Sequence, residues 1–275
     1  IYLELLPSGL SDIWVSYVYL VPTAGNWFGE EYASMLKTYL FAFHVRGLPK
    51  GSMLEMRFTG NDLAGSYLVR VQGEDETGWT EIKLDMPWNY DALRRYRKSG
   101  LMTFCWEVSV DGTLLGTIPY TCRVRRINEC LKELPFDESN PLTGRFTNRS
   151  GNMVVSPFFT AWVEPENPLC DRVLSGLISS ELLDGINGYQ FGEEDVKDQL
   201  WAVWYFLEQH GIRYANSTYT PGSTWGQEVR FIGEVYESRL AYCVEISVLL
   251  ASIYSRMDLD VSLLTLPDHM YLVVK

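Results

Sequence analysis

Residues 240–275 read LAYCVEISVLLASIYSRMDLDVSLLTLPDHMYLVVK. The apolar run at 248–253 sits inside a helical pattern that starts at Cys243 and reaches Met257. Two alternating stretches follow, 261–266 and 269–274, and Pro267-Asp268 parts them as a turn would. A helix of that length carries the chain about 21 Å from its start, at 1.5 Å per residue. The first strand and its lead-in return it by about 20 Å. If the hairpin packs on the helix, His269 comes back to the level of Cys243. In the first helical turn, unpaired N–H groups and the positive end of the dipole favour a thiolate. A thiolate beside an imidazole is the arrangement for nucleophilic acyl transfer.

Helical periodicity extends upstream. Val173, Leu174, Leu177, Ile178 and Leu182 form an apolar stripe. The next helix carries Glu193, Glu194 and Asp195 in its first turn, where the dipole favours them. Val196, Leu200, Val203, Trp204 and Leu207 are predicted as its buried face, and His210-Gly211 as its end. Residues 212–214 read as extended, and 232–239 as a short helix.

The first 130 residues read instead as strands. Residues 39–46 place Tyr39, Phe41, Phe43 and Val45 on one face against Leu40, Ala42, His44 and Arg46. Residues 67–72 and 80–84 alternate in the same way, and 104–110 with 113–124 form a hairpin about Asp111-Gly112. Residues 90–98 are a helical patch, and His44 reads as a core or surface histidine without chemistry. The expected fold class is α+β. An antiparallel β-sandwich-like domain spans 1–130, a Pro/Asn-rich linker or wrapping segment spans 131–168, and an α+β domain spans 169–275. Within the linker, 154–163 reads as a strand between prolines.

Composition narrows the function classes. Lys and Arg total 23 against 35 Asp and Glu, a net charge of −12, which argues against nucleic acid and anionic membranes as partners. Apolar residues at 47% supply real cores. No membrane-span pattern and no signal-peptide pattern is present. Ile1 in place of Met, and a strand pattern running out at Lys275, are what a chain cut from a longer one would show; an exported mature chain is consistent with them. The five cysteines form no CxxC or Cys/His cluster, so neither a metal site nor a cofactor is expected. The Asp111-Gly112 turn sets residue 105 opposite about 118, so a bridge from Cys105 to Cys122 would need a bulge, and reduced cysteines are the expectation. Asn148 and Asn216 open sequons that matter only in a glycosylating host.

Gln227 to Val235, Ser238 to Glu245, Leu249-Leu250-Ala251 and Pro267-Asp268-His269 together resemble the transglutaminase-like superfamily. A bacterial subgroup reads much like this stretch, with Gln and Arg ahead of the short helix. The resemblance extends over 169–275 and is dense from 227 onward. It implies a papain-like cysteine protease fold for that domain and a Cys-His-Asp triad acting on protein or peptide amides. Cys243 matches the nucleophile and His269 the base. Peptidase or amidase activity is favoured over cross-linking transamidation, and the N-terminal domain would hold substrate or a protein partner. The alternative is a non-catalytic binding or scaffold module. The superfamily's third member is an acid on the strand after the histidine, and none stands between His269 and Lys275. Tyr242 and Asp268 stand where the superfamily has small residues, and Glu245 where the subgroup often has Asp. Glu245 faces away from the thiol and is expected to pair with Arg230 or Arg239. Gln227 reads as an oxyanion donor or, more readily, a loop anchor. Trp225 lines a substrate groove or caps the core.

Overall fold

The computed structural model describes residues 1–7, 12–20, 41–74, 77–131, 133–134, 153–154, 156–215, 226–266 and 269–275. The chain is mixed α+β and divides into two compact units, Ile1–Ile127 and Asn128–Lys275. The division falls three residues before the boundary expected at 130. The reason is a strand at Glu129–Leu131, all three residues buried, which pairs within the second unit.

The first unit contains β1 (Tyr2–Pro7), β2 (Asp12–Trp14), α1 (Val15–Leu20), β3 (Phe41–Arg46), β4 (Met53–Phe58), β5 (Tyr67–Gln72), β6 (Trp79–Leu84), α2 (Tyr90–Arg95), β7 (Gly100–Val110) and β8 (Thr113–Arg125). Two sheets form, ordered β1-β3-β6 and β2-β8-β7-β4-β5. Phe41, Phe43 and Val45 are buried, as their alternation predicts. The Phe41 ring lies 5.0 Å from Phe104 and 5.1 Å from Trp106, so aromatic side chains join the two sheets. The pairing is antiparallel except that β2 runs parallel to β8. Asp111 (φ 49°) and Gly112 (φ 79°) turn the β7–β8 hairpin in the left-handed conformation that a two-residue loop requires. A bulge after Val108 sets Cys105 opposite Pro119, and all five cysteines are free thiols.

The second unit contains β9 (Glu129–Leu131), β10 (Glu133–Leu134), β11 (Met153–Val154), a 3₁₀ segment (Ser156–Trp162), α3 (Pro168–Ser179), α4 (Glu193–Gln209), β12 (Arg213–Tyr214), β13 (Gly226–Glu228), α5 (Ile232–Ser238), β14 (Leu240–Ala241), α6 (Cys243–Arg256), β15 (Val261–Thr265) and β16 (Met270–Val274). The described part of 131–168, expected as a linker or wrapping segment, lies within this unit. The strand expected over 154–163 is replaced over Ser156–Trp162 by a 3₁₀ segment. Phe158, Phe159, Ala161, Trp162 and Val163 are all buried, which an alternating strand could not achieve with one covered face.

Helix α6 runs through the core of this unit. Val244, Glu245 and every residue from Ser247 to Tyr254 are buried, as expected of a helix apolar on nearly all sides. It packs on α3, α4, α5, the 3₁₀ segment and the β15–β16 hairpin. Its buried Ser252 is matched, Oγ donating to Val248 O at 2.8 Å and accepting from Glu164 N at 2.9 Å, whereas Ser255 Oγ is buried without a hydrogen-bond partner among the described residues. Tyr254 Oη donates to Leu200 O at 3.0 Å. Helices α3 and α4 approach closely at Gly176, where a Cβ would stand 2.4 Å from Phe206 Cζ. Along α4 the buried residues are Val196, Gln199, Ala202, Val203, Phe206 and Leu207. Trp204, expected in that face, is 50% exposed, because it lies about 100° around the helix from Val203. Among the described residues no helix is long and apolar enough to cross a membrane.

Candidate functional site

Cys243 is the first residue of α6, after Tyr242 in extended conformation (φ −84°, ψ 171°). An apolar chain would not hold this helix start by itself, since its leading N–H groups lack intrahelical partners. Glu245, three residues past the cap, supplies the hold. It is 0% exposed, and Oε2 accepts from Tyr242 N at 3.2 Å, the backward half of a capping box. Its carboxylate is neutralised by Arg230, whose Nε donates to Oε1 at 2.8 Å and Nη2 to Oε2 at 2.7 Å, while Arg230 N donates to Oε1 at 3.1 Å. Arg230 reaches on to Ser238 Oγ at 2.9 Å and Leu240 O at 2.7 Å, and its guanidinium lies over the Tyr242 ring at 5.6 Å. These bonds to Glu245 hold the Arg230 guanidinium above its ordinary range. Of the two partners expected for Glu245, Arg230 is the one it takes.

The same device recurs one helix earlier. Glu234 accepts from Phe231 N at 3.0 Å at the start of α5, and Asn128 Nδ2 donates to its Oε2 at 3.1 Å. Asn128 also accepts from Val229 N at 2.8 Å through its carbonyl, beside the β9–β13 ladder. Gln227 lies in that ladder opposite Cys130, and its Nε2 donates to Glu228 O at 3.2 Å. Its amide is thus bonded to backbone, as an anchoring residue's is. Trp225 lies outside the described residues, as do Asp268, Asn148 and Asn216.

His269 precedes β16. Its carbonyl accepts from Leu266 N at 2.8 Å, closing the hairpin, and its ring meets Tyr271 at 4.6 Å between centroids. Ser247 Oγ donates to Met270 O at 3.4 Å, which seats the start of β16 against the second turn of α6. Both Cys243 and His269 are half-buried. Among the described residues no hydrogen bond links the Cys243 thiol to the His269 ring, and no carboxylate bonds that ring. No group of His, Cys, Asp and Glu among the described residues is arranged to hold a metal ion.

A cavity of about 380 Å³ lies between α4 and β12, lined by Trp204, Leu207, Glu208, Ile212, Arg213, Tyr214 and Ile246. Ile246 ties it to α6. At about 100° per residue, Ile246 lies about 60° to one side of Cys243, and Ser247 about 40° to the other. The thiol therefore leaves the helix between the cavity-facing residue and the residue that holds β16. The cavity depends on the parallel pairing of Arg213 with Leu240 and Tyr214 with Ala241. Such two-residue pairings have no periodic signal in the sequence, whereas the exposed aromatic on α4 could have been sought as a break in its apolar stripe. No family model, curated protein or solved structure matches the chain.

Proposed function

We propose that the second unit is a transglutaminase-like cysteine hydrolase that cleaves peptide or protein amides through Cys243 and His269. The observation that carries this reading is the position of Cys243: first in a braced helix, with a cavity on one flank and the start of β16 on the other. In the reaction the Cys243 sulfur attacks the amide carbonyl carbon, forming a C–S bond. His269 takes the thiol proton and delivers it to the leaving nitrogen as the C–N bond breaks. Water, deprotonated by His269, then attacks the thioester, releasing the carboxylic acid and restoring the thiol. The amide N–H groups at the start of α6 face the developing charge. No metal or redox group enters this sequence of steps. The first unit, a sandwich-like pair of sheets, is proposed to hold substrate or a protein partner.

A second reading, a non-catalytic binding module that keeps this fold, is favoured by the surroundings of the His269 ring, which meets Tyr271 at 4.6 Å and bonds no carboxylate among the described residues. Alkylation separates the two. Iodoacetamide labelling of Cys243 is followed by peptide mass spectrometry from pH 4 to 10, in the native protein and in His269→Ala. Rapid labelling at pH 6 that His269→Ala abolishes supports the hydrolase, since a free thiol titrates near 8.5. Identical profiles in the two proteins would leave the binding module.

A further inference from the structure

The cavity beside α6 has a composition that selects its occupant. Five of its seven lining residues are large and apolar or aromatic: Trp204, Leu207, Ile212, Tyr214 and Ile246. Trp204 and Tyr214 are 50% and 59% exposed, so two aromatic surfaces stand open at its mouth. Glu208 and Arg213 complete the lining with one charge of each sign. Neither has an ion-pair partner among the described residues, and their formal charges cancel, so the cavity favours a neutral group over an ion. At about 380 Å³ it lies at the small end of ligand sites, which run from roughly 300 to 1,000 Å³. That is room for one large side chain with adjoining backbone, not for a folded segment. Ile246 is three residues beyond Cys243, about 4.5 Å along the helix. A group seated in the cavity therefore touches α6 about one turn from the residue that bears the thiol.

We infer that this cavity seats a large neutral apolar side chain, aromatic above all, of the residue flanking the amide that Cys243 attacks. The inference rests on the acyl-transfer reading and adds the substrate class to it: peptides with Phe, Tyr, Trp or Leu next to the scissile bond. Trp204 and Ile246 act as specificity-determining residues. They recognise the side chain by stacking and apolar contact, and Glu208 and Arg213 offer an acceptor and a donor to the peptide backbone beside it.

Two measurements test it. In the first, acetyl-phenylalanyl, acetyl-alanyl and acetyl-aspartyl chloromethyl ketones and side-chain-free chloroacetamide alkylate Cys243, with rates read by peptide mass spectrometry. The phenylalanyl probe is expected to react about tenfold or more faster than the alanyl one, the discrimination an apolar pocket provides. In Trp204→Ala and in Ile246→Trp, the ratio of phenylalanyl to chloroacetamide rates is expected to fall several-fold. Equal rates for all side chains, or a preference that neither variant alters, overturns the inference while His269-dependent reactivity leaves the hydrolase standing. In the second, binding of N-acetyl-phenylalaninamide to Cys243→Ser is followed by ligand-observed NMR, independently of thiol chemistry. Saturable binding that Ile246→Trp abolishes and that N-acetyl-aspartamide does not reproduce supports the seat; no binding overturns it, whatever the thiol does.

Discussion

Removing the Glu245 carboxylate tests whether the start of α6 is held by one buried ion pair. In Glu245→Ala, Arg230 loses its bonds from Nε, Nη2 and its backbone N–H, at 2.8, 2.7 and 3.1 Å, and Tyr242 N–H loses its acceptor at 3.2 Å. Breaking a buried pair from one side costs about 3–5 kcal/mol, because the remaining charge stays desolvated without its partner. The full burial of Glu245 places the substitution in that range, although Arg230, with 24% of its side chain exposed, recovers some solvation. For a unit of this size each 1 kcal/mol lowers the midpoint by roughly 2–4 °C, so the second unit's transition is expected to fall by about 6–20 °C. Glu245→Gln keeps the shape and one acceptor oxygen but not the charge, and is expected to cost about 1.5–3 kcal/mol. Differential scanning calorimetry reads the midpoint, and a double-mutant cycle of Glu245→Gln with Arg230→Met isolates the pair. A midpoint drop under about 3 °C for Glu245→Ala, or a coupling below about 0.5 kcal/mol, would mean that the pair does not hold this helix start. Because the same carboxylate orders the turn that carries Cys243, Glu245→Gln is also expected to slow Cys243 alkylation in the native state.

Gly176→Ala puts a Cβ 2.4 Å from Phe206 Cζ and is expected to destabilise the second unit by about 1–3 kcal/mol, with Phe206→Leu restoring part of the loss in a denaturant titration. Burial pushes the Cys122 and Cys170 thiols up to about 12 and Cys130 well above its ordinary range. At pH 8.5 labelling of the native protein is therefore expected to be confined to the half-buried Cys105 and Cys243; modification of Cys130 at a comparable rate would contradict the burial. The same thiols make stability depend on pH. Their folded values are raised, so the folded state keeps protons that the unfolded state loses above about 8.5. Their contribution is fully present below about 8.5 and is lost as pH rises toward 12, so the urea midpoint is expected to fall from pH 8 to pH 10. Replacing Cys122 and Cys170 with Ala should flatten that slope.

Much of this molecule follows from local pattern. The hairpin at Asp111-Gly112, the alternating strand that buries Phe41, Phe43 and Val45, the acidic first turn of α4 and the helix beginning at Cys243 are each written within a dozen residues, because periodicity and turn chemistry act at that range. The brace between Arg230 and Glu245 was within reach too: a glutamate three residues past a helix cap faces back toward the chain that enters it. Other features depend on distant segments meeting. The bulge after Val108 moves Cys105 from its expected register, since one extra residue shifts every pair beyond it. Glu129–Leu131 joins the second unit because Gly226–Glu228, almost a hundred residues later, completes its ladder. Trp204 continues the apolar stripe of α4 by composition, yet the packing of α3 and α6 closes that stripe at Val203 and leaves the indole on the wall of a cavity whose other side is Tyr214 and Ile246. Local periodicity alone sets the helix that begins at Cys243 and the hairpin that carries His269. That Cys243 stands between a cavity and a strand depends instead on packing, because three elements from different parts of the chain must converge there.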